Sequence, residues 1–209
     1  AEMLVAPDGI DLRAFANPER KEAARERLEL PLNKKIVLYI GRLDGWKGSS
    51  TLLEASKSFD GDTILAVIGG EEEQLEKLRR QYPFVFFLGF RPYRELANNQ
   101  AAADVLVLPN TGKDEVSSRF TSPMKLFSYM AARKPIVASD LPSLREVLSE
   151  ESAVFFEPDN THSLAEAIEK VLCDPMLVKR VADKARADVA RYTWDARAQS
   201  ILTFLTTKL

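Results

Sequence analysis

Short, nearly continuous apolar segments alternate with longer amphipathic segments along most of the chain. The apolar segments are rich in β-branched and aromatic residues, and they predict strands at Lys35–Ile40, Thr63–Ile68, Phe84–Leu88, Val105–Leu108, Pro135–Ala138 and Ala153–Phe156. Strands that are covered by helices on both faces have this pattern, which is typical of a parallel sheet. The regular alternation of strand and helix therefore predicts an α/β fold, a doubly wound parallel sheet of about six strands.

The segments between the strands carry apolar residues at helical spacing. They predict helices at Ser49–Phe59, Glu71–Tyr82, Tyr93–Ala103, Met124–Ala132 and Ser143–Leu148, followed by the C-terminal helices His162–Cys173, Pro175–Arg191 and Trp194–Leu209. We expect Cys173 to be buried in the apolar stripe of its helix. We expect Trp194 to anchor the last helix by packing, while that helix exposes an apolar patch.

The first residues have a different character. They include a loop-like segment, a charged helical stretch at Pro18–Leu28, and a possible strand at Met3–Val5. No segment before Lys35 has enough apolar residues to form a core of its own. The sequence therefore divides into a leading segment at 1–34, which we interpret as a linker, and a domain at 35–209.

Composition narrows the possible functions. Lys and Arg number 29 against 31 Asp and Glu, a net charge of −2 that gives no basic footprint for nucleic acid. The lone Cys173 excludes an internal disulfide and a cysteine-cluster metal site, and the lone His162 excludes sites that need two imidazoles. His162 lies beside a predicted helix start, where a local role is expected. Without a leader or an apolar run of about 20 residues, we expect a soluble cytoplasmic protein.

The loops that follow the predicted strands are the candidate binding site, because ligands of open parallel sheets bind outside the carboxyl ends of the strands. Gly41–Gly48 contains three glycines and two cations, Arg42 and Lys47, at a helix start. Exposed N–H groups, the helix dipole and two positive side chains suit a diphosphate. The loop is neither a P-loop nor a dinucleotide fingerprint. A glycine-rich turn with two solvated cations explains the same residues equally well.

Two further loops carry weaker signals. Gly69-Gly70 precedes three glutamates, Glu71 to Glu73, at a helix start; carboxylates there suit the dipole and repel phosphate, so we interpret them as capping. In Gly89-Phe90-Arg91-Pro92, the ring and the guanidinium could stack on a base. Phe90 is equally well explained as an ordinary core residue.

The loop after the fourth predicted strand, from Pro109 to Ser122, is long. It ends with Ser122 as N-cap and Pro123 at the first helical position, a strong signal for a helix start. Loops of about 12 or more residues in compact domains are usually functional or disordered. Since this one leads into a helix start rich in donors, we predict a binding loop.

Taken in order, these motifs resemble the C-terminal, nucleotide-sugar-binding half of group 1 glycosyltransferases with the GT-B architecture. The matching segments are PDGID, GRLDGWKG, VIGG, LGF, ADVLVLPN, TSPMKLFSYMAARKPIVASDLPSLREVL and a late YTW, and they span essentially the whole chain. The resemblance implies two Rossmann-like domains facing a cleft, of which 35–209 is the donor-binding domain and 1–34 the interdomain linker.

The resemblance also implies an activity. It would be hexosyl transfer from a UDP-, GDP- or ADP-sugar with retention of configuration, without a metal or other cofactor. The N-terminal acceptor domain would be missing from this chain, which alone would bind nucleotide weakly and transfer nothing. That missing half could hold the protein at the inner face of the membrane.

Roles for individual residues follow from the same resemblance. Arg42 and Lys47, with Gly41, would hold the donor phosphates; the helix start at Thr121, Ser122 and Pro123 would assist; and the base would lie near Gly89, Phe90 and Arg91. Phe120 and Ser128 stand where most relatives carry glutamates, which approach the donor sugar and bind the ribose, respectively. This departure keeps open the alternative of a non-catalytic nucleotide-sugar-binding module. A nucleotide-sugar epimerase is disfavoured by the cap-like setting of His162.

Overall fold

The computed structural model describes residues 3–43, 45–120 and 124–207. Its centre is a six-stranded parallel sheet formed by β1 (Lys35–Ile40), β2 (Thr63–Ile68), β3 (Phe86–Phe87), β4 (Val105–Leu108), β5 (Ile136–Ser139) and β6 (Val154–Phe156). The strands are ordered β3-β2-β1-β4-β5-β6. This arrangement confirms the predicted doubly wound α/β fold.

The helices connect successive strands and cover the sheet. They are α1 (Lys21–Arg27), α2 (Ser49–Ala55), α3 (Glu72–Gln81), α4 (Leu96–Ala101), α5 (Met124–Ala131), α6 (Pro142–Arg145), α7 (Thr161–Cys173), α8 (Pro175–Asp188) and α9 (Trp194–Thr206). Short 3₁₀ turns lie at Leu12–Phe15, Gly45–Lys47, Ser56–Ser58, Tyr93–Glu95 and Val189–Arg191, and a π-helical turn lies at Val116–Phe120. Several predicted helices are thus shorter than expected because a 3₁₀ turn begins or ends them.

Successive residues of β1 point to opposite faces of the sheet, and both faces are buried. Ile36 and Leu38 belong to one core cluster, together with side chains of α1, α4 and α5. Val37 and Tyr39 belong to the other cluster, together with side chains of α2, α3 and α7. Burial on both faces explains why this strand is apolar at nearly every position.

The observed ends of some strands differ from the predicted ones. β3 is confined to Phe86–Phe87 of the predicted 84–88, and Phe84 is exposed at this edge of the sheet. β5 begins one residue later than predicted because Pro135 has no N–H; it contributes only its carbonyl, which accepts from the Leu106 N–H at 3.0 Å. Met3–Val5, considered as a strand, has no regular secondary structure.

The leading segment packs onto the sheet. Ile10, Phe15, Ala24 and Leu28 are part of the same core cluster as β1. The guanidinium of Arg25, whose side chain is 3% exposed, donates to Asp104 Oδ2 at 2.6 Å and to the carbonyl of Ala102 at 3.0 Å. Residues 10–30 are therefore held to the domain by both apolar and ionic contacts.

The C-terminal helices correct one prediction. Cys173 is exposed, so the expectation that it fills the core is wrong. The buried stripe of α7 consists of Leu164, Ala167, Ile168 and Val171, and Cys173 falls off that stripe two residues later, at the helix end. In α9, no described residue is buried and the ring of Trp194 is nearly half exposed, which confirms the exposed apolar patch.

His162 lies exposed at the start of α7, where the side chain of Asn160 accepts from the His162 and Ser163 N–H groups. This confirms the local setting expected for His162. No described helix is both long and apolar enough to span a membrane.

Candidate functional site

The sheet order reverses between β1 and β4, which is the switch point of this sheet. A crevice forms there in open α/β sheets. Gly48 has a φ of +66°, and a Cβ on it would lie 1.6 Å from the carbonyl oxygen of Pro109. Only glycine fits at this position, because the loop after β1 lies directly against the loop after β4.

Glycines line the carboxyl ends of the three neighbouring strands. The Gly41 N–H donates to the carbonyl of Ile68 at 2.9 Å, and the Gly69 N–H donates to the carbonyl of Gly89 at 2.8 Å. Gly69 has a φ of +118°, and a Cβ there would lie 2.2 Å from the Gly41 carbonyl oxygen. The loops after β1, β2 and β3 therefore lie side by side, close enough for a ligand to approach their backbones.

A cavity of about 700 Å³ opens on these loops. Its volume lies in the range of about 300–1,000 Å³ that is usual for small-molecule sites. Its lining includes the cations Arg42, Lys77 and Arg91 and the anions Glu71 and Glu73. The uncharged Leu43, Gln74 and Phe90 also line it. The cavity combines backbone, cationic, anionic and aromatic surfaces.

The structure brings together four residues that the sequence singled out. Gly41 and Arg42 line the cavity from the loop after β1, and Phe90 and Arg91 line it from the loop after β3. Phe90 is 76% exposed, so its interpretation as a core residue is wrong. An exposed aromatic ring and an exposed guanidinium beside a glycine-lined floor are available for stacking.

Lys47 lies at the end of the 3₁₀ turn Gly45–Lys47 and is partly buried. It does not line the 700 Å³ cavity. Its charge acts instead on Lys125, near the start of α5. Lys47 therefore lies on the side of the β1 loop that faces α5, whereas Arg42 lines the cavity.

Phe120 does not line the 700 Å³ cavity. It is 71% exposed at the end of the π-helical turn, and it lines a separate cavity of about 400 Å³ together with residues 5–8 and Tyr192. The described structure therefore does not bring Phe120 together with Arg42. The predicted helix start at Thr121, Ser122 and Pro123 lies outside the described residues.

Ser128 lies inside the protein. Its side chain is 1% exposed, and its hydroxyl donates to the carbonyl of Lys125 at 2.8 Å and accepts from the amide of Gln100 at 3.0 Å. The hydroxyl is thus satisfied inside the protein, and Ser128 does not line the cavity. The short side chain stays in the α4–α5 contact, so the expected hydrogen bond from Ser128 to a ribose has no support in this geometry.

The loop after β2 contributes more to the cavity than its sequence predicts. Glu71 is the N-cap of α3, but its side chain makes no capping hydrogen bond. Glu71, Glu73, Gln74 and Lys77 instead line the cavity. A usable signal was present, because Gly69-Gly70 follows a predicted strand just as Gly41 does.

Lys125 was also missed. Its ammonium donates to Tyr39 Oη at 3.2 Å and lies 4.4 Å from the centre of that ring. The Tyr39 hydroxyl donates in turn to the carbonyl of Arg42 at 2.7 Å. Burial, reinforced by the positive charge of Lys47, lowers the pKa of Lys125 to about 7.

The long loop after β4 is held to the domain by its own polar contacts. The Thr111 hydroxyl donates to Asp159 Oδ1 at 2.5 Å and the Gly112 N–H donates to Asp159 Oδ2 at 2.9 Å. Further along, the Ser143 hydroxyl donates to the carbonyl of Ser117 at 2.8 Å. These contacts fix both sides of the loop before the segment 121–123.

In the described part of the chain, no group of three His, Cys, Asp or Glu side chains could hold a metal ion.

A parallel sheet in this order, with a polar cavity on its carboxyl edge beside the switch point, defines a Rossmann-like ligand-binding domain. A family model described as glycosyl transferases group 1 matches residues 20–188. A putative teichuronic acid biosynthesis glycosyltransferase, TuaC of Bacillus subtilis, is 30% identical over 180 residues, which cover 86% of this chain. The chain belongs to the group 1 glycosyltransferase family.

Solved structures with a similar fold include glycosyltransferase-type proteins of about twice the length. A sucrose-phosphate synthase from Thermosynechococcus elongatus is 28% identical and covers 97% of this chain with a TM-score of 0.80. Anabaena HepE, solved in complex with UDP and glucose, is 21% identical and covers 95% of the chain, also with a TM-score of 0.80. The fold is that of one Rossmann-like half of the GT-B architecture. The chain spans 44% of TuaC, 51% of the synthase and 55% of HepE, about half of each.

Proposed function

We propose that this chain is the donor-binding domain of a retaining, metal-independent glycosyltransferase, which transfers a hexose from a nucleotide sugar. The observation that carries the proposal is the cavity at the carboxyl ends of β1, β2 and β3, which Arg42 lines from the loop after β1 and Phe90 and Arg91 line from the loop after β3. Its position beside the switch point is where open α/β sheets bind nucleotides.

The β1 loop would hold the diphosphate. When the sugar leaves a nucleotide sugar, negative charge grows on the phosphate oxygens, and preformed cations stabilise that charge in the transition state. Arg42 on the cavity wall and Lys47 on the other side of the same loop are the cations in question. Gly41, between β1 and Arg42, lets the backbone approach the phosphates closely.

The loops after β2 and β3 would hold the nucleoside. Phe90 offers a ring and Arg91 a guanidinium plane for stacking on a base, and the carboxylates of Glu71 and Glu73 can accept hydrogen bonds from base or ribose. Nucleotide sugars with uracil, guanine or adenine bases all fit this description. The Anabaena protein with UDP and glucose supports a nucleoside diphosphate as the ligand class.

The acceptor would be bound by another domain. The chain covers about half of its relatives, and the described structure has one sheet, with the proposed donor site at its carboxyl edge. We therefore propose that the isolated chain binds nucleotide and transfers no sugar, and that an N-terminal domain supplies the acceptor site.

Calorimetric titration of UDP, GDP and ADP tests the phosphate site. Each charge-assisted hydrogen bond contributes roughly 1.5–3 kcal/mol, so losing either cation weakens binding about tenfold to a hundredfold. The double variant R42A/K47A therefore binds the preferred nucleotide at least tenfold more weakly than wild type. The charge-matched control R180A/K170A, on α8 and α7, retains wild-type affinity. Equal binding by R42A/K47A, or no binding of any nucleotide at millimolar concentration, contradicts the proposal.

A non-catalytic nucleotide-sugar-binding module is the second candidate. It is favoured by one observation: Ser128, at the position where most relatives carry the ribose-binding glutamate, is buried and bonded to Gln100. A transfer assay with the full-length protein separates the two, because turnover of a nucleotide sugar excludes the module.

A further inference from the structure

The ammonium of Lys125 lies directly beneath the loop proposed to bind the diphosphate. A Cβ on Gly41 would be 3.3 Å from Lys125 Nζ and 3.1 Å from Tyr39 Oη. Gly41 itself lines the cavity. The Lys125 ammonium is therefore separated from the cavity by little more than the Gly41 backbone, although it is carried by α5 and not by the β1 loop.

The surroundings of Lys125 contain no compensating anion among the described residues. β1 presents the hydroxyl and the ring of Tyr39, and the 3₁₀ turn presents the like charge of Lys47. No carboxylate of a described residue lies within 4.0 Å of the ammonium. An anion that arrives nearby would stabilise the charged form of a lysine placed this way.

The hydrogen bonds around Lys125 connect it to the cation on the cavity wall. Lys125 donates to the Tyr39 hydroxyl, and that hydroxyl donates to the carbonyl of Arg42. These two hydrogen bonds fix the distance between the Arg42 backbone and α5. A second role of Lys125 is thus to position the β1 loop.

We propose that Lys125 is a third cation of the diphosphate site, a positioning residue that takes up one proton from solvent when the diphosphate binds. The proposal rests on the proposed function. The proton ends on Nζ, no covalent bond to the ligand forms, and the resulting ammonium offsets one of the two negative charges of the bound diphosphate. Arg42 and Lys47 alone would provide the permanent charge of the site.

Isothermal titration calorimetry at pH 8, in buffers with different ionisation enthalpies, measures the proton taken up on binding. The ligands are UDP-glucose, GDP-mannose and ADP-glucose, because their diphosphates, unlike terminal phosphates with a pKa near 6, have no group that titrates near neutral pH. At pH 8 a lysine with a pKa of about 7 is mostly neutral, so the wild-type chain takes up protons when the diphosphate binds. The corresponding nucleosides induce no uptake.

Two variants distinguish this role from a structural one. K125M takes up close to no proton and binds at least fivefold more weakly at pH 7. K134M, the matched control, removes a lysine whose pKa burial also lowers, to about 8, but which lies before β5 at the amino end of the sheet. K134M keeps the wild-type uptake and affinity.

The affinity also changes with pH in a defined direction. Because binding raises the proton affinity of Lys125, the wild-type affinity falls as the pH rises from 7 to 9, and the K125M affinity stays level. Proton uptake by K125M equal to that of wild type, or diphosphate binding by wild type without uptake, overturns the role of Lys125 and leaves the proposed function standing. Absence of binding by any of the three nucleotide sugars overturns both.

Discussion

Two partly buried lysines lie at opposite ends of the sheet, and their neighbours differ. Lys134, at the amino end, donates to the carbonyl of Ala101 at 3.0 Å; Lys21 repels its charge, and Asp104 attracts it. Lys125, at the carboxyl end, has a phenol and another lysine as neighbours, with no carboxylate partner among the described residues. The difference is that Lys134 has carboxylates among the charges acting on it, whereas no carboxylate of a described residue acts on Lys125.

The largest expected effect concerns the amino end. Asp104 pairs with Lys21 and Arg25 and accepts from the Ile36 N–H at 2.7 Å. D104N leaves the buried Arg25 guanidinium without its anion, and breaking such a pair costs about 3–5 kcal/mol of the free energy of unfolding. Urea denaturation measures this loss. The control D62N, which removes an 82% exposed partner of Lys34, changes the free energy by less than about 1 kcal/mol.

Acid should act on the same cluster. Burial alone would raise the pKa of Asp104, but the hydrogen bonds from Lys21 and the Ile36 N–H outweigh it and hold the pKa below its usual value. A carboxylate with a depressed pKa contributes stability that is present above its unfolded-state pKa and lost as the pH falls from about 4 through the folded-state pKa. Wild type therefore loses stability over that window more steeply than D104N. Parallel acid profiles of the two would contradict this.

At the carboxyl end, we expect K125M to raise the free energy of unfolding, whereas D104N lowers it. Burial lowers the pKa of Lys125 to about 7. Below pH 7 the buried ammonium is charged in the folded protein, and this charge is more stable in the unfolded chain, so it lowers the free energy of unfolding. K125M raises the free energy of unfolding at pH 7 by about 1–2 kcal/mol, while it weakens nucleotide binding. The gain shrinks as the pH rises from 7 to about 10.4, where lysine also becomes neutral in the unfolded chain. A destabilised K125M at pH 7 would show that Lys125 supports the fold and not the site.

The smallest effect is expected at the far wall of the cavity. Phe90 is exposed and lines the cavity, so F90A removes a stacking surface and weakens nucleotide binding by about 1 kcal/mol, with little change in stability. F84A, an exposed phenylalanine before β3 that does not line this cavity, is the control. Calorimetric affinities of both variants for the preferred nucleoside diphosphate check the prediction; equal losses would remove Phe90 from the site.

The strand pattern was the most reliable information in the sequence. The bounds of β1, β2 and β4 agree with the predicted ones, because these central strands are buried on both faces and are therefore apolar throughout. β3 is shorter than predicted since an edge strand pairs on one side only. The apolar pattern reports burial, and where burial is partial the strand ends are not defined by it.

The site was predictable only in part, for a physical reason. Sequence identified Arg42, Phe90 and Arg91 because they follow strands, but it placed Ser128 by alignment, which gives a position in a helix and not the direction of a short side chain. Lys125 was missed because its importance depends on Tyr39, 86 residues away in sequence. The sequence predicts only capping for Glu71 and Glu73, because their place in the cavity depends on the loops after β1 and β3, which are distant in sequence.

The most direct test of the central claim is a crystal structure of the chain with the nucleoside diphosphate that binds most tightly. The account predicts that the diphosphate lies over Gly41 with its oxygens in contact with Arg42 and Lys47, and that the base lies in the cavity against Phe90. A diphosphate bound away from the β1 loop, with Arg42 and Lys47 turned from it, would contradict the account.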